Sequence, residues 1–333
     1  MSLVLLIVLY LLALQFDGDW EWGAYEYPLS VAEAQGGRIG DDLVIIGGFK
    51  DGYDATTTDT FALNMSNPDG GWRPLDSLPV YVGVTHGAFA LIGDTTMAMC
   101  GGYTGGNLGQ ETDICFKLDS SKPQGQQWSR LDSLPEGRAG GGLIYDSTLQ
   151  QLVYTGGAQR PTAGVGISID FNTTWIYDFQ NPAAGWTDSS PLPFHGNHMS
   201  FVTAKDNLGR ERHFILGGQE AENEDNGNTK EVYEWDASSR SWIEHPDMPF
   251  TRGHAASATK AISCGFLMAG GTTNDYGMVP DISYYDVPTG KWTRLGELPN
   301  AVNTAVCDIG GGYLYCETGW ATGKYSARRK IGF

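Results

Sequence analysis

The chain is poor in basic residues. Its 333 residues include 21 Lys and Arg against 39 Asp and Glu, which gives a formal net charge of -18. Nucleic-acid binding needs a basic surface that pairs with phosphates, so this charge argues against nucleic acid as a partner and, in the same way, against anionic membranes. The one basic cluster, Arg328-Arg329-Lys330, is equally consistent with the solvated end of a strand.

A long hydrophobic run is also lacking. The apolar segment from Leu3 to Leu14 is too short to span a bilayer comfortably, and a polar segment follows it. This arrangement predicts a signal peptide over residues 1–16, and therefore a secreted protein whose mature chain has no membrane span, although the N-terminal end carries no Lys or Arg. An uncleaved anchor is the alternative. Sequons at Asn64 and Asn172 predict N-glycosylation and agree with secretion.

Cysteines are few and odd in number. None of the five has the C-x-x-C spacing of a zinc site. A two-residue glycine turn would place Cys307 directly opposite Cys316, which predicts a disulfide. Cys100 and Cys115 lie at the end of one predicted strand and the start of the next, and they form a second candidate pair. Cys264 is then left over. The alternative is that all five cysteines are reduced.

Sequence motifs of common enzymes and cofactor sites are absent. There is no Gly-x-Ser-x-Gly elbow, no Cys or Ser with a locally marked base, and no phosphate or dinucleotide loop. The two imidazoles of His195-Gly-Asn-His198 have no carboxylate motif beside them. The acidic segment Glu220–Asn226 does not match EF-hand spacing and is interpreted as a solvated loop. The sequence therefore predicts no metal and no cofactor.

What the chain contains is a repeat. Five tryptophans are each followed by a proline seven residues later: Trp72, Trp128, Trp186, Trp242 and Trp292. A short apolar strand ending in Gly-Gly precedes each of them. A period of about 50 to 60 residues predicts stacked copies of one unit of four short strands. The repeat tryptophans are interpreted as packing residues between copies. Trp175 and Trp320 lie outside this register, and we expect them to be more exposed.

A diglycine followed by spaced aromatics that end in Trp resembles the Kelch repeat, and the resemblance covers residues 20–333. It implies an all-β fold: a six-bladed Kelch-type β-propeller with four antiparallel strands per blade. A sixth glycine, Gly319, has only 14 residues after it, whereas Trp20-Glu-Trp22 through Pro28 looks like a Trp-to-Pro unit without its preceding strands. We therefore predict that the N-terminal segment supplies the outer strand of the last blade, within a single domain over residues 17–333.

The blade geometry also predicts where a ligand would bind. With strands a to d running from the axis outward, the d–a and b–c connections emerge on one face, and rigid scaffolds commonly use such loops for binding. The candidate ligand-binding residues on these connections are His86, Arg138, Arg160, His198, Arg252 and His254. Arginine and histidine side chains near a channel mouth could bind a carboxylate or an acidic sugar. The alternative is that they hydrogen-bond the backbone of neighbouring blades.

The resemblance permits either a binding module or an enzyme. We predict a secreted, non-catalytic module that binds an extracellular protein or glycan through the d–a and b–c face, with no catalytic residues assigned. The alternative is a carbohydrate-active enzyme of the sialic-acid epimerase (mutarotase) type, since that fold is also a single six-bladed ring. A copper-radical oxidase relative is less favoured, because its cross-linked Tyr and Cys, two His and second Tyr do not map onto this sequence.

Overall fold

A computed structural model describes residues 15–50, 55–106, 109–160, 168–221, 226–320 and 324–332. Within these ranges every paired strand is antiparallel, and the helical elements are three short 3-10 turns, Pro68–Gly70, Pro182–Ala184 and Ala256–Ala258. The predicted all-β class is therefore confirmed. None of these helical elements in the described ranges has the length and apolar character needed to cross a bilayer.

The described strands include six four-stranded sheets, numbered here in chain order. Sheet 1 comprises Gln35–Ile39, Asp42–Ile46, Thr60–Asn64 and Arg73–Pro74; sheet 2 comprises Ala88–Gly93, Thr96–Cys100, Cys115–Asp119 and Trp128–Leu131. Sheet 3 comprises Gly142–Asp146, Gln151–Thr155, Thr174–Asp178 and Trp186–Ser189; sheet 4 comprises Ser200–Lys205, Glu211–Leu216, Val232–Asp236 and Ser241–His245. Sheet 5 comprises Thr259–Ile262, Gly265–Ala269, Asp281–Asp286 and Lys291–Glu297; sheet 6 comprises Val306–Gly310, Tyr313–Glu317, Ser326–Gly332 and Gln15–Trp22.

Ten shorter strands pair in small ladders beside the sheets. They are Val31–Ala32, Phe49–Lys50, Ala55–Thr56, Val84–Thr85, Tyr103–Thr104, Gln110–Glu111, Ala158–Gln159, Ile169–Asp170, Thr272–Thr273 and Gly277–Met278. The second strands Gln151–Thr155 and Gly265–Ala269 are buried at every residue, and the other four second strands are buried beyond their first one or two residues. Burial on both faces explains why these strands read as continuous apolar runs rather than as alternating patterns.

The six sheets contact one another in cyclic order. The first strands of consecutive sheets lie side by side, and the first strand of sheet 6, Val306–Gly310, lies beside the first strand of sheet 1, Gln35–Ile39. The N-terminal strand Gln15–Trp22 is the outer strand of sheet 6, where it pairs with Ser326–Gly332. It begins two residues before the predicted domain start at residue 17. The rest of the predicted signal peptide, residues 1–14, lies outside the described residues.

The second glycine of each of the five diglycines, and Gly319 at the same place in sheet 6, link one sheet to the next. The N–H of each donates to a carbonyl just ahead of the following sheet, at 2.7 to 3.0 Å: Gly48 to Val84, Gly102 to Arg138, Gly157 to Gly196, Gly218 to Arg252, Gly271 to Val302 and Gly319 to Val31. At Gly102, φ is 106° and a Cβ would lie 2.4 Å from the Thr85 carbonyl oxygen. Only glycine fits such a position, which explains why the sequence repeats it.

The repeat tryptophans link neighbouring sheets at the outer strands. Five indole N–H groups donate to backbone carbonyls of the preceding unit, at 2.7 to 3.1 Å: Trp72 to Tyr25, Trp128 to Asp76, Trp186 to Asp132, Trp242 to Ser190 and Trp20 to Glu297. Their interpretation as packing residues is confirmed, and Trp20 rather than Trp22 is the sixth member. Trp292 packs against Phe250 and Tyr285, and its indole N–H makes no such bond. Trp320 is exposed as expected, but the expectation for Trp175 was wrong: it is 3% exposed and its ring stacks on Tyr154.

Two disulfides join neighbouring strands. Cys100 is bonded to Cys115 in sheet 2, and Cys307 is bonded to Cys316 in sheet 6, in the strand register that the sequence indicated. Cys264 is a free thiol.

A buried carboxyl group gives sheet 6 a pH-dependent stability. Glu317 is 1% exposed, and burial raises the pKa of its carboxyl well above the usual value. The folded protein therefore holds this proton more tightly than the unfolded chain. The free energy of unfolding should fall, by up to about 1.4 kcal/mol per pH unit, as the pH rises between the two pKa values. We expect Glu317→Gln to remove this dependence and to stabilise the protein at neutral pH.

Urea unfolding of both proteins between pH 4 and pH 8 measures the effect. The stability difference should vanish at the acidic end and grow with pH. Glu244→Gln, at an exposed site on an outer strand, is the matched control and should shift nothing. A Glu317→Gln variant that is less stable than the wild type at pH 8 would contradict the prediction.

Candidate functional site

Shortly before each first strand, a single residue has the same unusual backbone conformation. The six residues, which we call the axial ring, are Glu33, His86, Gly140, His198, His254 and Thr304, with φ between 49° and 67°. Positive φ is uncommon for residues other than glycine, and such strain concentrates at functional sites. Backbone N–H groups of the ring donate to ring carbonyls at His86 to Glu33, Gly140 to His86 and Thr304 to His254. The repeat geometry therefore brings six distant residues to one place.

Four members of the axial ring form a compact ionisable cluster. The His/Glu cluster consists of Glu33, His86, His198 and His254. The ring centres lie 4.7 Å apart for His86 and His198, and 4.2 Å apart for His198 and His254. One oxygen of the Glu33 carboxylate lies 3.6 Å from Nε2 of His86, and the other lies 3.5 Å from Nε2 of His254.

The opposite nitrogen of each imidazole contacts a polar neighbour. Nδ1 of His86 lies 2.8 Å from the Thr85 hydroxyl, and Nδ1 of His254 lies 3.2 Å from the Thr272 hydroxyl. Nδ1 of His198 contacts the amide groups of Asn197 and Gln219. These contacts fix the ring orientations, so that the Nε2 edges of His86 and His254 face Glu33.

The cluster borders a small axial pocket with a volume of about 40 Å³. Burial lowers the pKa of all three imidazoles well below its usual value, and the charges of neighbouring imidazoles act in the same direction. The histidines are therefore neutral at physiological pH. The pocket is far smaller than the roughly 300 to 1,000 Å³ of typical small-molecule sites, so it can hold an ion or a few waters but cannot enclose a sugar.

The structure brings four of the six predicted ligand-binding residues together. His86, His198 and His254 belong to the cluster, and Arg160 lies close enough for its charge to lower the pKa of His86 and His198. The Arg160 guanidinium lies over the Tyr103 ring, 4.4 Å from its centre.

Arg138 and Arg252 are not brought to the pocket, which corrects the expectation that they bind a ligand at the channel mouth. Both are 1% exposed. The Arg138 guanidinium lies 3.5 Å from the centre of the Phe171 ring and donates to the Gly137 carbonyl at 3.0 Å. Arg252 donates to both carboxylate oxygens of Asp281 at 2.8 Å. These contacts match the alternative structural role.

Two ring members, Glu33 and Thr304, escaped the sequence analysis. Each lies five residues after the proline of a Trp-to-Pro unit, Pro28 and Pro299, as do His198 and His254. Applying this spacing to every copy would have identified them. Arg138 and Arg252 each lie two residues before a member of the axial ring, and valine holds this position in three other copies: Val31, Val84 and Val302. All five residues are buried.

A second, larger pocket lies further along the first strands, with a volume of about 300 Å³. Phe201 lines both pockets, and its ring packs edge-on against Phe89 at 5.0 Å. In the larger pocket the buried Lys260 ammonium donates to the Gly36 carbonyl at 3.0 Å and lies 3.7 Å from the Asp308 carboxylate. Burial lowers the pKa of Lys260, and the charge of Asp308 opposes that shift. No sequence pattern marked this pocket.

The remaining predicted sites are placed only in part. Asn64 ends the third strand of sheet 1, and the Asn172 amide donates to the Leu192 carbonyl at 3.0 Å, so N-glycosylation stays a prediction at both sites. Residues 222–225 of the acidic loop lie outside the described residues.

Comparison with known proteins agrees with the repeat. The chain is 27% identical to the Kelch-like protein terF of Aspergillus terreus over 296 residues, which is 84% of this chain and 58% of that protein. The resemblance to Kelch-repeat proteins is confirmed. A Kelch repeat-containing protein of Arabidopsis thaliana is 29% identical over 153 residues, 40% of this chain and 34% of that protein. The chain thus matches less than two thirds of each relative. No family model matches it.

Proposed function

We propose that the six sheets are the blades of a closed six-bladed Kelch-type β-propeller that serves as a secreted, non-catalytic binding module. The cyclic order of the first strands, the glycine links and the placement of the N-terminal strand in sheet 6 support this architecture. Secretion follows from the signal peptide predicted over residues 1–16 and belongs to the same proposal. Fold alone does not assign function, so the binding function rests on the surface residues.

The observation that carries the binding function is a set of exposed aromatic residues on one face. Tyr81 lies on the d–a connection between sheets 1 and 2, and Tyr276 and Trp320 lie on b–c connections of sheets 5 and 6. These connections share the face that carries the axial ring, which we call the ring face. Tyrosine and tryptophan dominate the energetics of protein interfaces. A protein partner therefore fits this face best.

The acidic-sugar interpretation has less support. The two arginines expected to bind a carboxylate are buried in structural contacts, and the axial pocket is too small for a sugar ring. The same observations argue against the epimerase alternative. A glycan would have to be bound by the exposed aromatics alone.

The test is a comparison of three forms of the full chain. Wild type, the triple variant Tyr81→Ala/Tyr276→Ala/Trp320→Ala, and the control Leu149→Ala/Leu208→Ala are each cross-linked in the culture medium of the source organism. The control removes exposed apolar side chains from connections between first and second strands, on the opposite face. We expect the wild type and the control to capture the same protein and the triple variant to lose at least about tenfold of it. Equal capture by all three forms, or binding on a glycan array only, would overturn the protein-binding proposal.

A further inference from the structure

The spacing within the His/Glu cluster is that of metal ligands. Two ligands at about 2.0 to 2.1 Å from a tetrahedral metal ion lie roughly 3.4 Å from each other. The distances from the Glu33 carboxylate to Nε2 of His86 and His254 are 3.6 and 3.5 Å. The donor atoms of Glu33, His86 and His198 all lie within 4.8 Å of one another. A small inward adjustment would bring this set onto one ion.

Neighbouring side chains orient the imidazoles as they do in metal sites. The Thr272 hydroxyl donates to Oδ1 of Asn228 at 3.1 Å, and therefore accepts from Nδ1–H of His254. Nε2 of His254 then presents an electron pair to the pocket. The Thr85 hydroxyl lies 2.8 Å from Nδ1 of His86. Metal-binding histidines almost always have such a partner on the second nitrogen, which fixes the tautomer and the ring plane.

The backbone and the pocket provide the rest of a preorganised site. The cluster residues belong to the axial ring, and they converge on the pocket from the starts of four separate sheets. The pocket of about 40 Å³ has room for one ion and its waters. The net charge of -18 favours cations throughout.

We propose that the axial pocket binds one divalent first-row transition-metal ion through the His/Glu cluster. Glu33, His86 and His198 are the proposed ligands, with His254 as the fourth beside Glu33. Imidazole nitrogens with one carboxylate suit Zn²⁺ and its neighbours in the first row, and do not suit Mg²⁺ or Ca²⁺, which prefer oxygen ligands throughout. This inference goes beyond the proposed function, because partner binding through exposed aromatics does not require the ion.

Titration of the metal-free full chain with Zn²⁺ tests the proposal. A second titration with Co²⁺ provides a spectroscopic probe of the ligand geometry. We expect one Zn²⁺ per chain by calorimetry and elemental analysis, and a ligand-field spectrum of tetrahedral Co²⁺. His198→Asn should weaken binding at least about 100-fold, because asparagine tolerates the positive φ but is too short to coordinate. Glu33→Gln should act in the same direction. Unchanged Zn²⁺ binding by both variants would overturn the proposal.

Two further variants keep the test specific. Thr272→Val lies outside the axial ring and should weaken Zn²⁺ binding about 10- to 100-fold through the orientation of His254, even if a ring variant fails to fold. His213→Gln is the matched control, since His213 lies with Asp146 and Glu211 in a separate group of potential ligands. It should bind Zn²⁺ like the wild type. The proposal would be wrong if the wild type did not bind Zn²⁺ at a 1:1 ratio. It would also be wrong if His213→Gln lost Zn²⁺ binding while the variants of the axial pocket kept it. Because the aromatic triple variant should still bind Zn²⁺, this result is separable from partner binding.

Discussion

Deletion of the N-terminal strand Gln15–Trp22 is expected to lower the free energy of unfolding by about 3 kcal/mol or more. The partly buried Phe16 and Trp20 pack against the apolar core beside sheet 6, and each contributes about 1 kcal/mol through burial. Deletion also removes the indole bond from Trp20 to the Glu297 carbonyl, and it exposes the strand Ser326–Gly332 as an unpaired edge. Urea unfolding, compared with a chain that starts at Gln15, measures the loss.

A circular permutant tests whether the strand itself, rather than its attachment at the N-terminus, provides the stability. The permuted chain begins at residue 23, runs to residue 333 and continues through a short glycine linker into residues 15–22. The outer strand then follows its neighbour through a tight turn, as in the other sheets. Because Gln15 pairs with Gly332, the linker needs only a hairpin turn. We expect the permutant to recover most of the lost stability. If the deleted and full-length proteins unfold at the same urea concentration, the N-terminal strand does not close the ring.

The architecture was largely predictable, because its causes are local and repeated. Each diglycine is required by a backbone conformation, and four of the five repeat tryptophans hydrogen-bond the preceding unit, so both leave a periodic trace in the sequence. The place of the N-terminal strand in sheet 6 could be predicted from the same trace, since Trp20 to Pro28 resembles a Trp-to-Pro unit with one extra residue. The register irregularity between Asp17 and Glu21 left no mark in the sequence.

The site was predictable only in part, because the residue type shows which side chains could bind a ligand, whereas the position in the repeat shows whether they are buried. His86, His198 and His254 were selected as polar residues on the correct loops, and the fold brings them together. Arg138 was selected on the same basis, but it occupies the position of buried valines in other copies. The Glu33 carboxylate lies far from His198 in the sequence, which marks it only by its spacing of five residues from Pro28. The two pockets arise from packing around the axis, to which every sheet contributes.

Arg252→Ala is expected to destabilise the protein by about 3 kcal/mol or more. The guanidinium is buried, holds both oxygens of Asp281 and donates to the Gly270 carbonyl at the diglycine of sheet 5. Its removal takes the arginine donors from that carbonyl and from the Asp281 carboxylate, which keeps the Ser283 hydroxyl at 3.2 Å, and this costs more than the loss of a surface ion pair. The melting temperature should fall by roughly 5 to 10 °C. If Arg252 acted mainly on a ligand, binding would change and the melting temperature would not.

A double-mutant cycle with Asp281→Ala assigns the effect to the pair. The double variant should be less destabilised than the sum of the two single variants, because removing both partners leaves no buried charge behind. Arg130→Ala, at an exposed position on the outer strand of sheet 2, is the matched control and should change stability by less than about 0.5 kcal/mol. Strict additivity of Arg252→Ala and Asp281→Ala would show that the ion pair does not hold this connection. The arginine would then be available for the ligand role that the sequence first suggested.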